Sequence, residues 1–178
     1  MKIAVVGLGY VGLPLAIQFA RANVTVLGLD IDTAKVDSIN QGLSYIKHIE
    51  SEAIEEVVKQ RKLSASTDFK RVSEVEAVVI CVPTPLSKNR EPDLSFILDT
   101  GRTIAPHLSK GALIVLESTT FPGTTDEDLR AVLEEGSSMQ AGVDFHLAFS
   151  PEREDPANEQ SKVKLIPKVV GGLHSCVS

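Results

Sequence analysis

Short apolar runs punctuate the chain at Ile3–Val6, Val24–Leu27, Ala77–Val82 and Ala112–Leu116. They are rich in β-branched residues and do not alternate with charged ones. Unbroken runs of this length are the pattern of strands covered on both faces, as in a parallel sheet. Between them the apolar positions shift to helical spacing. Leu13, Ile17 and Ala20 recur at intervals of four and three, as do Ile54, Val57 and Val58 amid Glu52, Glu55, Glu56 and Lys59. Residues three and four apart share a helix face. Strands alternating with helices predict an α/β fold with right-handed crossovers.

The same pattern sets the expected elements. Strands are expected at 2–6, 24–29, 63–65, 77–82, 112–116 and 145–149. Helices are expected over about 12–22, 33–41, 51–61 and 94–106, and from a cap at Thr124 or Thr125 to about Glu135. Ser66-Thr67-Asp68 turns into a further short helix. Pro83, Pro85 and Pro92, with Asn89 and Arg90, mark 83–93 as a surface loop. The stretch from Pro151 to Pro167 is charged and proline-bearing and reads as loop with little helix.

Composition narrows the function classes. With 178 residues the chain is one domain by size. Its 43% hydrophobic and 24% charged residues are ordinary globular usage, which excludes a disordered chain. Lys and Arg total 18 against 24 Asp and Glu, a net charge of −6. That balance lacks the basic surplus of a nucleic-acid binder, so no nucleic-acid partner is expected. No run nears the roughly 18 apolar residues that cross a bilayer, so no membrane partner is expected. Ile3–Ile17 is uncharged and follows Lys2, but its three glycines and Pro14 make poor material for a targeting helix. Cys81 and Cys176 stand at no metal-ligand spacing, and no metal is expected. Together these features suit a reducing, cytoplasmic setting.

The strongest local signal is Gly7-Leu8-Gly9-Tyr10-Val11-Gly12. Such a pattern alone is weak, but here it follows a predicted strand, opens a helix and leads to a second strand. Gly7 permits the tight turn, Gly9 lets backbone approach a diphosphate, and Gly12 allows close helix-to-strand packing. Free amides at the helix start then face the phosphate charge. Gly7, Gly9, Tyr10, Val11 and Gly12 are therefore candidate cofactor residues, and the fold is of the doubly wound Rossmann type, a mostly parallel sheet with helices on both faces. Asp30 falls 18 residues after Gly12, at the tip of the second strand. A carboxylate there accepts from ribose hydroxyls and repels a 2′-phosphate, which favours NAD over NADP. Lys35 is near enough to reach ribose or phosphate and joins the candidates.

Further motifs extend the picture along the chain. Gly7–Pro14, Cys81-Val82-Pro83-Thr84-Pro85, Glu117–Thr124, Phe149–Pro156 and Pro167–Gly172 stand in an order that resembles the UDP-glucose/GDP-mannose dehydrogenase family. The Ser150-Pro151-Glu152-Arg153 form is closer to the branch acting on UDP-N-acetylhexosamines. The resemblance implies oxidation of a nucleotide sugar's C6 alcohol to a carboxylate with two NAD⁺, through an aldehyde and a cysteine thioester. It implies that Thr84 lies against the nicotinamide-side ribose and that Thr125 touches the cofactor. It implies catalytic roles for Glu152, which handles water or a proton in thioester hydrolysis, and for Thr120, next to Thr119, which holds that water. Arg153 and Glu154 would meet the substrate.

The family's nucleophilic cysteine and catalytic lysine fall beyond residue 178 by this resemblance. Cys81 reads as a small core hydrophobe. Cys176 lacks a nucleophile motif, and His48, His107, His146 and His174 have no triad spacing. The expected division is an NAD-binding domain over 1–172 and a short tail over 173–178, without the family's central helix and UDP-sugar domain. A full-length parent is expected to be a homo-oligomer acting on a UDP-sugar. Two other readings share the glycine turn: a non-catalytic NAD-binding subunit and a β-hydroxyacid-type dehydrogenase. Residues 117–124 and 149–156 argue against the last.

Overall fold

The computed structural model describes residues 1–86, 92–151 and 170–172. Strands β1 (Lys2–Val6), β2 (Thr25–Leu29), β3 (Leu63–Ser66), β4 (Ala77–Ile80), β5 (Leu113–Leu116), β6 (His146–Phe149) and β7 (Gly171–Gly172) form one sheet. Their order is β3-β2-β1-β4-β5-β6-β7, with every pairing parallel except β6 with β7. The helices are α1 (Gly12–Arg21), α2 (Thr33–Asn40), α3 (Ser51–Lys59), α4 (Ser95–Ile104) and α5 (Arg130–Ser137).

Strand side chains alternate between two cores. Ile3 and Val5 point into one core, while Ala4 and Val6 point into the other. The first core gathers Leu13 and Ile17 of α1, Ile39 of α2 and Ile54 of α3. The second gathers Ile97 and Ile104 of α4 and Leu133 of α5. Apolar demand on both sides of each strand explains why the runs in the sequence do not alternate. The chain is a doubly wound α/β fold with helices on both faces. Its strand order reverses between β1 and β4, and the strand C-termini there leave a crevice for ligands.

Three features differ from the sequence expectation. Neither Thr124 nor Thr125 caps a helix: Gly123, at φ +99°, is the cap residue, and both threonines are buried. The left-handed conformation suits a glycine and turns the chain directly from the β5 loop into the helix. Residues Thr124–Leu129 then wind as a wide π-type turn before α5. The short helix after Asp68 is a 3₁₀ segment, Phe69–Glu74, with the Asp68 side chain accepting from the Lys70 amide at 3.0 Å. The third is β7, which pairs Gly171 with Phe149. Two glycines carry no side-chain pattern from which a strand could be read. The 173–178 tail and most of 151–167 lie outside the described residues. Among the described residues no helix is long and apolar enough to cross a membrane.

Candidate functional site: the cleft at the strand C-termini

A cleft of about 550 Å³ opens over the C-terminal ends of β1, β2, β4 and β5. The glycine turn forms its floor. Gly7 adopts φ +88°, and its amide donates to the Leu29 carbonyl at 2.8 Å. A Cβ there would lie 2.7 Å from the Cys81 carbonyl oxygen, so conformation and space both require glycine. A Cβ on Gly12 would lie 1.8 Å from the Gly7 carbonyl oxygen. The start of α1 is thus pressed against the turn, with Cys81 beneath. A Cβ on Gly9 would meet nothing within 4 Å. The space beside Gly9 belongs to the cleft.

The turn is pinned through Leu8. Its side chain is fully buried and packs over Gly28 of β2, where a Cβ would come within 2.9 Å of it. Its amide donates to Asp30 Oδ2 at 2.8 Å, and its carbonyl accepts from the Tyr45 hydroxyl at 2.5 Å. Beyond it, no hydrogen bond among the described residues uses the amides of Gly9, Tyr10, Val11 or Gly12. Leu13 returns to the helical pattern, donating to Gly9 at 3.1 Å. The uncommitted amides of Gly9, Tyr10 and Val11, which line the cleft at a helix start, form an anion cradle.

Asp30 is 6% exposed, low for a carboxylate. Besides Leu8, it accepts from the Asp32 amide at 3.0 Å and pairs with Lys35 Nζ at 3.3 Å. These partners offset the cost of burying its charge. Asp32 meanwhile caps α2 by accepting from the Ala34 amide at 2.9 Å. The two acids therefore have separate tasks, one at the cleft and one at the helix.

The opposite wall comes from the loops after β4 and β5. Thr84 donates to the Thr119 carbonyl at 2.7 Å, tying the two loops together. Ser118 Oγ donates to the Val82 carbonyl at 2.8 Å and reinforces the join. Gly7, Gly9, Tyr10, Val11, Asp30, Lys35 and Thr84 all line the cleft, whereas Gly12 lies beneath it. Thr119 faces the cleft, but Thr120 is not part of its wall. Thr125 is buried and does not line it. Glu152, Arg153 and Glu154 lie outside the described residues. The sequence pattern assigns no role to Glu117, which is 4% exposed just after β5 and lines the cleft, nor to Phe96 and Thr100 of α4, which also line it. Glu117 opens the Glu117–Thr124 motif, which is a usable signal. Phe96 and Thr100 share only helical spacing, which does not separate a cleft face from a core face.

Open amides, a space that a side chain at Gly9 would enter, and a buried acceptor at the second strand's tip together fit a dinucleotide. The comparisons agree. The model of the UDP-glucose/GDP-mannose dehydrogenase family, NAD binding domain, matches residues 1–177. The UDP-N-acetyl-D-glucosamine 6-dehydrogenase of Pseudomonas aeruginosa is 35% identical over 172 residues, covering 97% of this chain and 40% of that enzyme. The UDP-N-acetyl-D-mannosamine dehydrogenase of Pyrococcus horikoshii is 38% identical over 174 residues, covering 97% of this chain and 41% of that enzyme. A crystal structure of NDP-N-acetyl-D-galactosaminuronic acid dehydrogenase from Methanosarcina mazei Go1 superposes with a TM-score of 0.90 at 38% identity, over 97% of this chain and 39% of that one. The chain thus spans about two fifths of the relatives it matches. It belongs to the UDP-glucose/GDP-mannose dehydrogenase family, as an NAD-binding domain.

Proposed function

We propose that this chain supplies the NAD-binding half of the active site of a nucleotide-sugar 6-dehydrogenase whose substrate is a UDP-N-acetylhexosamine. The observation that carries this reading is the likeness, over 97% of the chain, to relatives named for those substrates. Bound NAD would supply the hydride acceptor. The protein's part is positioning and electrostatics.

On this reading the Gly9, Tyr10 and Val11 amides hold the diphosphate over the close packing at Gly12, and Asp30 and Lys35 meet the adenosine ribose. Thr84 holds the nicotinamide-side ribose, and Thr125 supports the cofactor from the third loop. Glu152 manages the water or proton of thioester hydrolysis, Thr120 holds that water, and Arg153 and Glu154 meet the sugar nucleotide. The NAD-binding unit covers 1–172, and the whole protein works in the cytoplasm as a homo-oligomer.

The isolated chain binds NAD without sustained turnover. The thioester step requires an accessible cysteine thiolate. Cys81 is only 7% exposed and sits beneath the glycine turn. The test is calorimetric titration with NAD⁺ beside a turnover assay with UDP-N-acetylglucosamine and UDP-N-acetylmannosamine. The expected result is saturable NAD⁺ binding and no growth of NADH. Sustained NADH production would overturn the inactive-domain reading.

A further inference from the structure

The loop between α2 and α3 reaches the glycine turn twice. The His48 ring stacks on Tyr10, with centroids 5.9 Å apart and planes 25° from parallel. Tyr45 reaches deeper and donates its hydroxyl to the Leu8 carbonyl at 2.5 Å. The loop is braced for this contact. Ile46 is buried in the core, the Ser44 amide donates to Ser51 Oγ at 3.0 Å, and Ser44 Oγ donates to the Ile46 carbonyl at 3.1 Å. Tyr45 packs against the same core as Val11.

We propose that Tyr45 is a positioning residue for the dinucleotide: by holding the Leu8 carbonyl it fixes the Leu8–Gly9 peptide plane, and with it the Gly9 amide that meets the diphosphate. The inference rests on the NAD reading of the cleft. A peptide unit is planar and trans, so the Leu8 C=O and the Gly9 N–H point in opposite directions. Whatever fixes the carbonyl fixes the amide. Among the described residues the Leu8 carbonyl has no other hydrogen-bond partner. Leu8 itself is immobilised by its buried side chain and by Asp30, so the unit left to rotate is the Leu8–Gly9 peptide. Gly9 tolerates that rotation because it has no Cβ. A flipped plane would present a carbonyl oxygen, rather than an amide, to a phosphate. Burial first, and then the nearby Asp30 and Asp32, push the Tyr45 phenol above its ordinary pKa. The hydroxyl therefore remains a neutral donor at physiological pH and adds no negative charge beside the diphosphate.

Tyr45→Phe in the 178-residue chain removes the donor and keeps the ring. If the flip leaves the turn competent about one tenth of the time, apparent affinity falls about tenfold. Titration calorimetry should show that loss for NAD⁺ and for ADP-ribose. Adenosine binding, followed by ligand-observed NMR, should stay within about twofold, a split that general unfolding would not produce. Unchanged NAD⁺ affinity in Tyr45→Phe would overturn the proposal, and so would an equal loss for adenosine. A Tyr45→4-aminophenylalanine chain, which returns an N–H donor, should regain near wild-type affinity. If Tyr45→Phe fails to fold, this second variant decides alone, and tenfold weaker NAD⁺ binding there refutes the role. A wild-type chain that binds neither NAD⁺ nor ADP-ribose would instead refute the cofactor reading beneath it.

Discussion

Gly9 and Gly12 belong to one short turn, yet a methyl group would be received oppositely at the two. At Gly12 it would fall 1.8 Å from a backbone oxygen of Gly7, an atom that cannot rotate aside. The usual gain of about 1 kcal/mol for alanine over glycine in a helix cannot offset that overlap. Gly12→Ala should cost about 3 kcal/mol. At about 2–4 °C per kcal/mol for a chain of this size, its melting midpoint should fall by about 6–12 °C. At Gly9 the methyl group enters open cleft. Gly9→Ala should melt within about 2 °C of wild type and bind NAD⁺ at least about tenfold more weakly, roughly 1.4 kcal/mol. Thermal melts and calorimetry on the pair check this contrast. A Gly9→Ala chain with full affinity would show that the diphosphate lies elsewhere.

Among the elements, strands and helices were the readable part and the tighter or wider coils were not. Residues Phe69–Glu74 and Thr124–Leu129 carry no periodicity that separates 3₁₀, α and π winding. The first of these segments has a measurable role. Glu74 accepts from Arg71 within the segment and pairs with Lys2 at the start of β1. The Arg71 hydrogen bond first, and Lys2 next, hold its carboxyl at about 2 against an ordinary value of 4.5. A depressed folded pKa means that the ionised form stabilises the fold. The contribution is present above about pH 4.5 and fades as pH falls towards 2. Glu74→Gln should therefore be slightly less stable than wild type at neutral pH and equal to it in strong acid. Urea unfolding across that range should show the gap closing. The gap should be small, because the carboxylate is solvent-screened. A constant gap at all pH values would count against the linkage.

For the molecule as a whole, cofactor binding and stability are linked. NAD⁺ at a hundredfold excess over its Kd should add about 2.7 kcal/mol. That corresponds to a rise of about 5–11 °C in melting midpoint. NADP⁺ at the same concentration should raise it by less than half as much if Asp30 meets the adenosine ribose as proposed, because its buried carboxylate would then repel a 2′-phosphate. Equal shifts would remove Asp30 from the selectivity argument. Much of this molecule was legible in its sequence because the determinants are local. Consecutive β-branched residues bury both faces of a strand, helical spacing covers that strand, and glycines between them set the turn. Asp30 follows from its place at the end of β2. What needed the tertiary structure is whatever depends on distance between remote segments. The Tyr45 hydroxyl meets the Leu8 carbonyl across 37 positions of sequence. Glu117 and Phe96 reach the cleft only through the packing of β5 and α4. The clash that demands glycine at position 12 comes from the chain's return past Gly7 and Cys81. Sequence determined most strands and α-helices and placed the glycine turn and Asp30 at strand ends, because these follow from neighbouring residues. Tertiary structure alone decided which carbonyls and amides are held and which stay free, because that depends on where distant segments meet.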